Sequence, residues 1–312
     1  MKFGVFLPIS GRAAGPTTLM EAARTAEILG YDSVWAADRI VIPWEIKTPY
    51  PYSEGQQFIV PPDRPFFEPL TCLAFLAGCT EKVKLGMSVL VLPYRHPLYW
   101  AKIATKIDQL SRGRFLLGVG VGWMNEEFEA LGAPFKDRGQ VSDEQLDLLN
   151  RLWKDERVSF NGRYYRFKDI AFSPKPFQKS HIPIWVGGEG ARAQRRAAAY
   201  GDAWFPYFVR ITPQELARRF ENVRRWAAEA GRNPDQVNLN CCLPIEVSTQ
   251  PVAQEEDRLR GNPEQLAEAL RAFQKIGVEH IALQFMMPHW PERQAQIERF
   301  AREVMPVLQN ES

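Results

Sequence analysis

The stretch Phe3–Arg39, FGVFLPISGRAAGPTTLMEAARTAEILGYDSVWAADR, decides the fold class. It opens on Phe3 to Leu7, an apolar run of strand length. Thr18-Leu19-Met20-Glu21 then has the spacing of a capping box, which predicts a helix entered at Thr18. Leu19, Ala22, Ala26 and Leu29 recur at helical intervals, and Gly30 supplies the stop. A second apolar run, Ser33 to Ala37, follows at once and ends on the charged pair Asp38 and Arg39. A strand, an amphipathic helix and a second strand in so short a span form a βα repeat, the unit of parallel sheets.

The same alternation continues to the end of the chain. Further strands are predicted at Val83 to Leu92, Phe115 to Val121, Ile182 to Val186, Asp202 to Phe205, Val237 to Val247 and His280 to Phe285, with helical patterns between them. Gly30-Tyr31-Asp32-Ser33-Val34 is echoed by Gly277-Val278-Glu279-His280-Ile281, each leaving a helix on glycine and entering a strand through an acid. About eight such units close into a (β/α)8 TIM barrel, expected here as one domain over residues 1–312. Two stretches interrupt the rhythm. Ile40 to Phe67, rich in proline and aromatics, follows the second strand and belongs on the C-terminal face, where barrel enzymes work. Val158 to Phe177, ahead of the fifth strand, contains Phe160-Asn161-Gly162-Arg163-Tyr164, which reads as a hairpin turning on Asn-Gly.

Composition narrows the partners. The 312 residues carry 39 basic and 37 acidic side chains for a formal charge of +2, so no strong field would gather nucleic acid or an anionic membrane. No apolar stretch is long enough to span a bilayer and the N-terminus does not read as a signal peptide, so a cytoplasmic protein with a small-molecule substrate is expected. Cys72, Cys79, Cys241 and Cys242 make no CxxC pair and read as reduced core thiols. His96, His181, His280 and His289 have no ligand spacing, so no metal site is expected.

Three motifs carry candidate chemistry. Leu117-Gly118-Val119-Gly120-Val121-Gly122-Trp123 puts three glycines on one strand face, which either makes room for larger neighbours in a barrel layer or lets a flat ring approach the backbone. Its GxGxG spacing is not the dinucleotide fingerprint. Trp185-Val186-Gly187-Gly188-Glu189-Gly190-Ala191 runs from a strand into a helix, either as a tight turn or as a phosphate site made of free helix amides. Glu189 disfavours an anion beside it, so the amides would do the binding. Asp38 and Arg39 stand at the mouth as functional charges or as a salt bridge, and Trp44, Phe66, Phe67 and Trp123 can wall a flat apolar ligand.

Together Phe3-Gly4-Val5-Phe6-Leu7-Pro8, Val34-Trp35-Ala36-Ala37-Asp38, Leu85-Gly86-Met87-Ser88-Val89, Gly118 to Trp123 with Glu127-Phe128, and Trp185-Val186-Gly187-Gly188 resemble the luciferase-like monooxygenase superfamily, in its branch of coenzyme F420-dependent oxidoreductases. The resemblance covers nearly the whole chain. It implies F420 as cofactor, with FMN as the alternative, a homodimer, and a non-proline cis peptide at Ser88-Val89 beneath the ring. Ring and ribityl contacts are implied for Asp38, Ser88, Val89, Val91, Val121 and Gly122, phosphate contacts for Gly187, Gly188, Gly190 and Ala191, and a further contact for Asn125. Lys47, Arg64 and Arg95 are candidate partners for the anionic tail of F420.

Asp38, Arg39 and Trp44 form the expected catalytic set. Arg39 departs from the deazaflavin-dependent dehydrogenases, which the resemblance implies have a histidine there, and arginine is no general base near neutral pH. Trp123 likewise stands where those enzymes have a catalytic glutamate. The expectation is therefore hydride delivery to an electron-poor alkene, imine or carbonyl, with Arg39 stabilising negative charge and Asp38 placing the cofactor or the arginine. The alternatives are a reduced-FMN monooxygenase and a cofactor-binding protein without turnover. A non-redox barrel would need a lysine or an acid-base pair at the strand ends, and none is evident.

Overall fold

A computed structural model describes the chain except for residues 54, 59, 180, 208–211, 254–257, 288 and 310–312. Eight parallel strands close a barrel: β1 (Lys2–Phe6), β2 (Ser33–Ala36), β3 (Lys84–Met87), β4 (Phe115–Gly120), β5 (Ile184–Val186), β6 (Ala203–Trp204), β7 (Asn238–Val247) and β8 (Val278–Phe285). Each pairs with the next, β8 pairs with β1, and every pairing is parallel. The predicted barrel is thus the observed one. A short strand not predicted from the sequence, Leu259–Gly261, pairs in parallel beside the last residues of β7.

Helices cover the outside: α1 (Pro16–Ile28), α2 (Pro69–Ala77), α3 (Pro97–Leu110), α4 (Asn125–Ala130), α5 (Arg138–Lys154), α6 (Ala191–Tyr200), α7 (Pro213–Glu229), α8 (Pro263–Lys275), α9 (Trp290–Arg299) and α10 (Met305–Gln309). α1 starts two residues before the predicted capping box. Gly15 is the N-cap and Pro16 the first helical residue, so proline's fixed φ sets the start and Thr18 caps nothing. The glycine echo is real: Gly30 and Gly277 both lie just past a helix end at φ +81° and +88°, a left-handed conformation that a side chain would resist.

Two apolar layers result. Between strands and helices lies the large outer core, while Trp35, Leu116, Trp185, Ala203, Phe205, Cys242 and Ala282 fill the barrel itself. Trp35 reaches the centre because both neighbouring strands give way. A Cβ on Gly4 would stand 2.4 Å from its indole nitrogen and one on Gly86 2.3 Å from its ring. The indole N–H donates to Ser33 Oγ at 2.7 Å, which is also 2.7 Å from His280 Nε2. Burial and the nearby Lys84, Lys2 and N-terminus push that imidazole down to about 3, so it is neutral.

The hairpin is present as Arg157–Asn161 and Arg166–Ala171, antiparallel. Its turn is not the predicted Asn-Gly pair. Asn161 pairs with Arg166, and Gly162 to Tyr165 turn around the Glu144 carboxylate, which accepts the Arg163, Tyr164 and Tyr165 amides at 2.8–2.9 Å. All four cysteines are free thiols, and no helix among the described residues is long and apolar enough to cross a membrane.

Candidate active site

The strand predicted over Val83 to Leu92 is broken in the middle. β3 ends at Met87, the Ser88-Val89 peptide is cis, and Leu90–Val91 resumes pairing with β4 one step further along. The break pushes Val89 inward, and glycines receive it. A Cβ on Gly118 would stand 1.9 Å from Met87 O, one on Gly120 2.5 Å from Val89 Cγ2, and one on Gly187 2.9 Å from Val89 Cγ1. The period-two glycines therefore make room for the chain's own bulge. Gly122, just past β4, has φ +79° and lies against Phe128 and Val91.

The two charges at the end of β2 have separate partners. Asp38 is buried and receives a bidentate Arg95 at 2.7 and 2.8 Å together with the Val91 amide at 2.9 Å. Burial pushes this carboxyl up and Arg95 draws it back. Arg39, also buried, is bonded to Glu127, which in turn accepts the Tyr94 hydroxyl at 2.7 Å and the Ile40 and Val41 amides at 2.8 and 3.2 Å. The guanidinium lies 4.9 Å from the Phe58 ring and 5.2 Å from that of Trp123. Its Nε is buried and makes no hydrogen bond among the described residues.

These contacts correct several expectations. Asp38 and Arg39 do not pair with each other, and the arginine that Asp38 places is Arg95. Arg95 is consequently no exposed partner for an anionic tail, since Glu68 takes a third bond from it at 3.0 Å. Trp44 is 81% exposed and absent from the aromatic group around Arg39, where Phe58 stands instead. Asn125 spends its side-chain amide on Glu129 at 2.6 Å. Val91 and Gly122 lie at the mouth, but the Val91 amide is taken by Asp38 and the Gly122 carbonyl by Arg138 Nε at 3.2 Å. Val121 is half-buried and lies just past the end of β4.

The proline-rich insertion is stapled across the mouth by adjacent acids. Glu127 holds its start, and Glu126 accepts the Lys47 and Thr48 amides at 2.8 and 2.9 Å and the Thr48 hydroxyl at 2.8 Å. Its far end returns through Phe67 N to Ile9 O at 2.8 Å. Between these anchors runs a chain of touching rings. Tyr50 contacts Tyr52, Phe58 and Trp123 at centroid distances of 5.5, 5.5 and 5.0 Å, and Tyr52 contacts Tyr207 at 5.2 Å. The Tyr207 hydroxyl is bonded to Gln284 of β8. Aromatic crowding in the insertion, Tyr50 and Tyr52 included, is the signal in the sequence for this wall, whereas nothing local marks Tyr207, which lies outside the insertion.

Gly187, Gly188 and Gly190 lead from β5 into α6. Gly188 has φ +102°, Gly190 is the N-cap, and the first bonded amides of α6 are those of Ala193 and Gln194, leaving the Ala191 and Arg192 amides to face outward. Glu189 turns away from this end and accepts the Tyr207 amide at 2.9 Å. Arg138 lies nearby, stacked 4.0 Å over Phe135. Burial and the charge of Arg192 lower its pKa.

Residues 1–260 match the family described as luciferase-like monooxygenase. The chain belongs to that family. It is 32% identical over 214 residues to a phthiodiolone/phenolphthiodiolone dimycocerosates ketoreductase of Mycobacterium tuberculosis, covering 67% of this chain and 55% of that one. An F420-dependent secondary alcohol dehydrogenase solved with an F420-acetone adduct superposes with a TM-score of 0.79 at 20% identity, covering 98% of each chain. The monooxygenase RslO1 from Streptomyces bottropensis superposes at 0.77 and 21% identity, covering 98% of this chain and 99% of that one. Proteins of this fold thus include an F420-dependent dehydrogenase and a monooxygenase.

Proposed function

We propose that the chain is an F420-dependent oxidoreductase that moves a hydride between the deazaflavin and a small electron-poor organic molecule, working as a homodimer. The observation that carries this reading is Arg39 Nε, a buried donor without a partner among the described residues, its guanidinium set against the touching rings of Phe58 and Trp123. Leaving such a donor unpaired costs about 1–3 kcal/mol, which an oxygen of the ring or substrate would recover. The residues present fit the cofactor in other respects. Val89 in its glycine cradle offers an apolar seat, and the α6 amides with Arg138 and Arg192 suit a phosphate.

The bound deazaflavin would supply the hydride. Arg39 would then hold negative charge developing on the substrate, Asp38 would act through Val91 and Arg95 to fix the seat, and the insertion would exclude water. Titration with F420 and with FMN, read by absorbance and fluorescence of the ring, tests the cofactor. Unchanged turnover in Arg39→Ala would remove that residue's role.

A reduced-FMN monooxygenase is the second reading, favoured by the RslO1 likeness. FMN ends at its phosphate, so tight FMN binding without F420 binding would select it.

A further inference from the structure

Arg39 Nε is buried and has no partner among the described residues, so as the site stands no ligand oxygen can reach it. Of the two rings against its guanidinium, Trp123 belongs to the loop after β4 and Phe58 to the insertion. Access to the donor therefore depends on what holds Phe58 down.

The insertion is held in two different ways. Its ends are hydrogen-bonded to the barrel: Thr48 hangs from Glu126 at 2.8 and 2.9 Å, and the Pro65 carbonyl accepts the Gly11 amide at 3.0 Å. Between these anchors, the hydrogen bonds of residues 49–64 close within the span itself, among the described residues. Tyr50 N donates to Gln56 O at 2.8 Å, Gln56 N to Ser53 O at 3.2 Å, Ser53 Oγ to Gln57 O at 3.2 Å and Arg64 N to Pro61 O at 3.1 Å. None of the span's described residues is buried. Ring contacts join it to the barrel: Tyr50 and Phe58 on Trp123 at 5.0 and 5.9 Å, Tyr52 on Tyr207 at 5.2 Å, and Phe58 on Arg39 at 4.9 Å. Ring contacts part without stranding a polar group, so the span can leave as a unit while its own turns and both anchors stay made.

We propose that residues 49–64 are a lid that lifts between these two anchors, and that the Tyr52 ring on Tyr207 is its latch. Lifting carries Phe58 off Arg39 and opens the Nε donor. Reseating traps a ligand oxygen against that donor and shuts water out. The ligand thus enters before the aromatic wall is complete, and closure follows it. The proposal rests on the reading of Arg39 as a ligand's donor, and it holds whether the barrel takes F420 or FMN.

Hydrogen exchange on the intact, cofactor-free protein reads the lid directly. In proton–nitrogen NMR spectra of protein labelled at arginine, the Arg39 Nε–H should exchange slowly, because exchange waits for the lid to lift. Tyr52→Ala should speed it by about three- to tenfold, the worth of one ring pair, and Tyr52→Phe should match the parent because the ring remains. The Ile40 and Val41 amides, bonded to Glu127 outside the span, should keep the parent rate in both variants. Titrated with F420 and with FMN, whichever binds should slow the Arg39 Nε–H by about tenfold or more, since a bound ligand holds the lid shut. If neither binds, the cofactor reading fails, and exchange on the free protein still decides the lid. Exchange at the rate of an exposed guanidinium, an unchanged rate in Tyr52→Ala, Ile40 and Val41 accelerating in step with Arg39, or a bound cofactor without effect on the rate would each overturn the proposal.

Discussion

A methyl group on Gly120 would stand 2.5 Å from Val89 Cγ2, so the glycine in one strand is the complement of the valine in the next. The pair makes a prediction about stability as well as about binding. Gly120→Ala should cost about 1–3 kcal/mol by overpacking, and Val89→Ala combined with it should restore much of the loss. Gly118→Ala should be worse, because its Cβ would meet the Met87 carbonyl at 1.9 Å, and backbone cannot rotate away as a side chain can. Urea unfolding of the two single variants and the double mutant checks the order.

Arg95→Met leaves Asp38 buried with only the Val91 amide as partner. Breaking a buried pair in this way costs about 3–5 kcal/mol. The carboxyl pKa should rise further, so the folded variant takes up a proton that the unfolded chain lacks around neutrality. Its deficit should therefore shrink as pH falls toward 5 and be largest above 7, which denaturation at several pH values measures.

His280 predicts the opposite acid behaviour. Its folded value of about 3 lies below the ordinary 6.5, so the unfolded chain binds a proton that the fold refuses between those values. Stability is full above about 6.5 and falls on acidification by about 1.4 kcal/mol per pH unit from this group. His280→Gln should flatten that limb in pH-dependent thermal unfolding.

Glu126→Ala should loosen the insertion without touching the barrel, since the acid's bonds go to Lys47 and Thr48. Faster hydrogen exchange confined to the Lys47 and Thr48 amides and their neighbours is the expected result. Glu127→Gln should extend the effect to Ile40 and Val41.

Arg138→Met should weaken binding of F420 and of FMN alike, by about tenfold or more, because both carry the phosphate. Arg192→Met should do the same more mildly, its side chain being exposed. Rising salt should narrow the gap between variant and parent.

The barrel was legible because each βα unit repeats a local signal: an apolar run, a helical stripe, a glycine stop. Where tertiary demands override local ones, the reading failed. The break at Ser88-Val89 looks like continuous strand to any count of apolar residues, and only the family resemblance marked it. Asp38 and Arg39, adjacent in sequence, invite the idea of a shared role, whereas consecutive side chains here reach Arg95 and Glu127, far along the chain. Trp44 and Phe58 have equal claims as aromatic residues of one loop, and only the path of the insertion makes one exposed and puts the other over Arg39. In the sequence Glu189 disfavours a phosphate, and only the fold turns its carboxyl to the Tyr207 amide.

β6 contributes just two residues to the wall, Ala203 and Trp204, and those two supply both its ladder to β5 and its ladder to β7. A cylinder laced so thinly on one side has a seam. Tyr207 hangs from the chain just beyond that seam, bridged to Cys242, and its amide is the one that holds Glu189. The barrel's weakest stitching and the Glu189 carboxyl thus share one sector. Ladder amides around β6 should be among the first to exchange with solvent, ahead of the long seven-residue zip between β7 and β8.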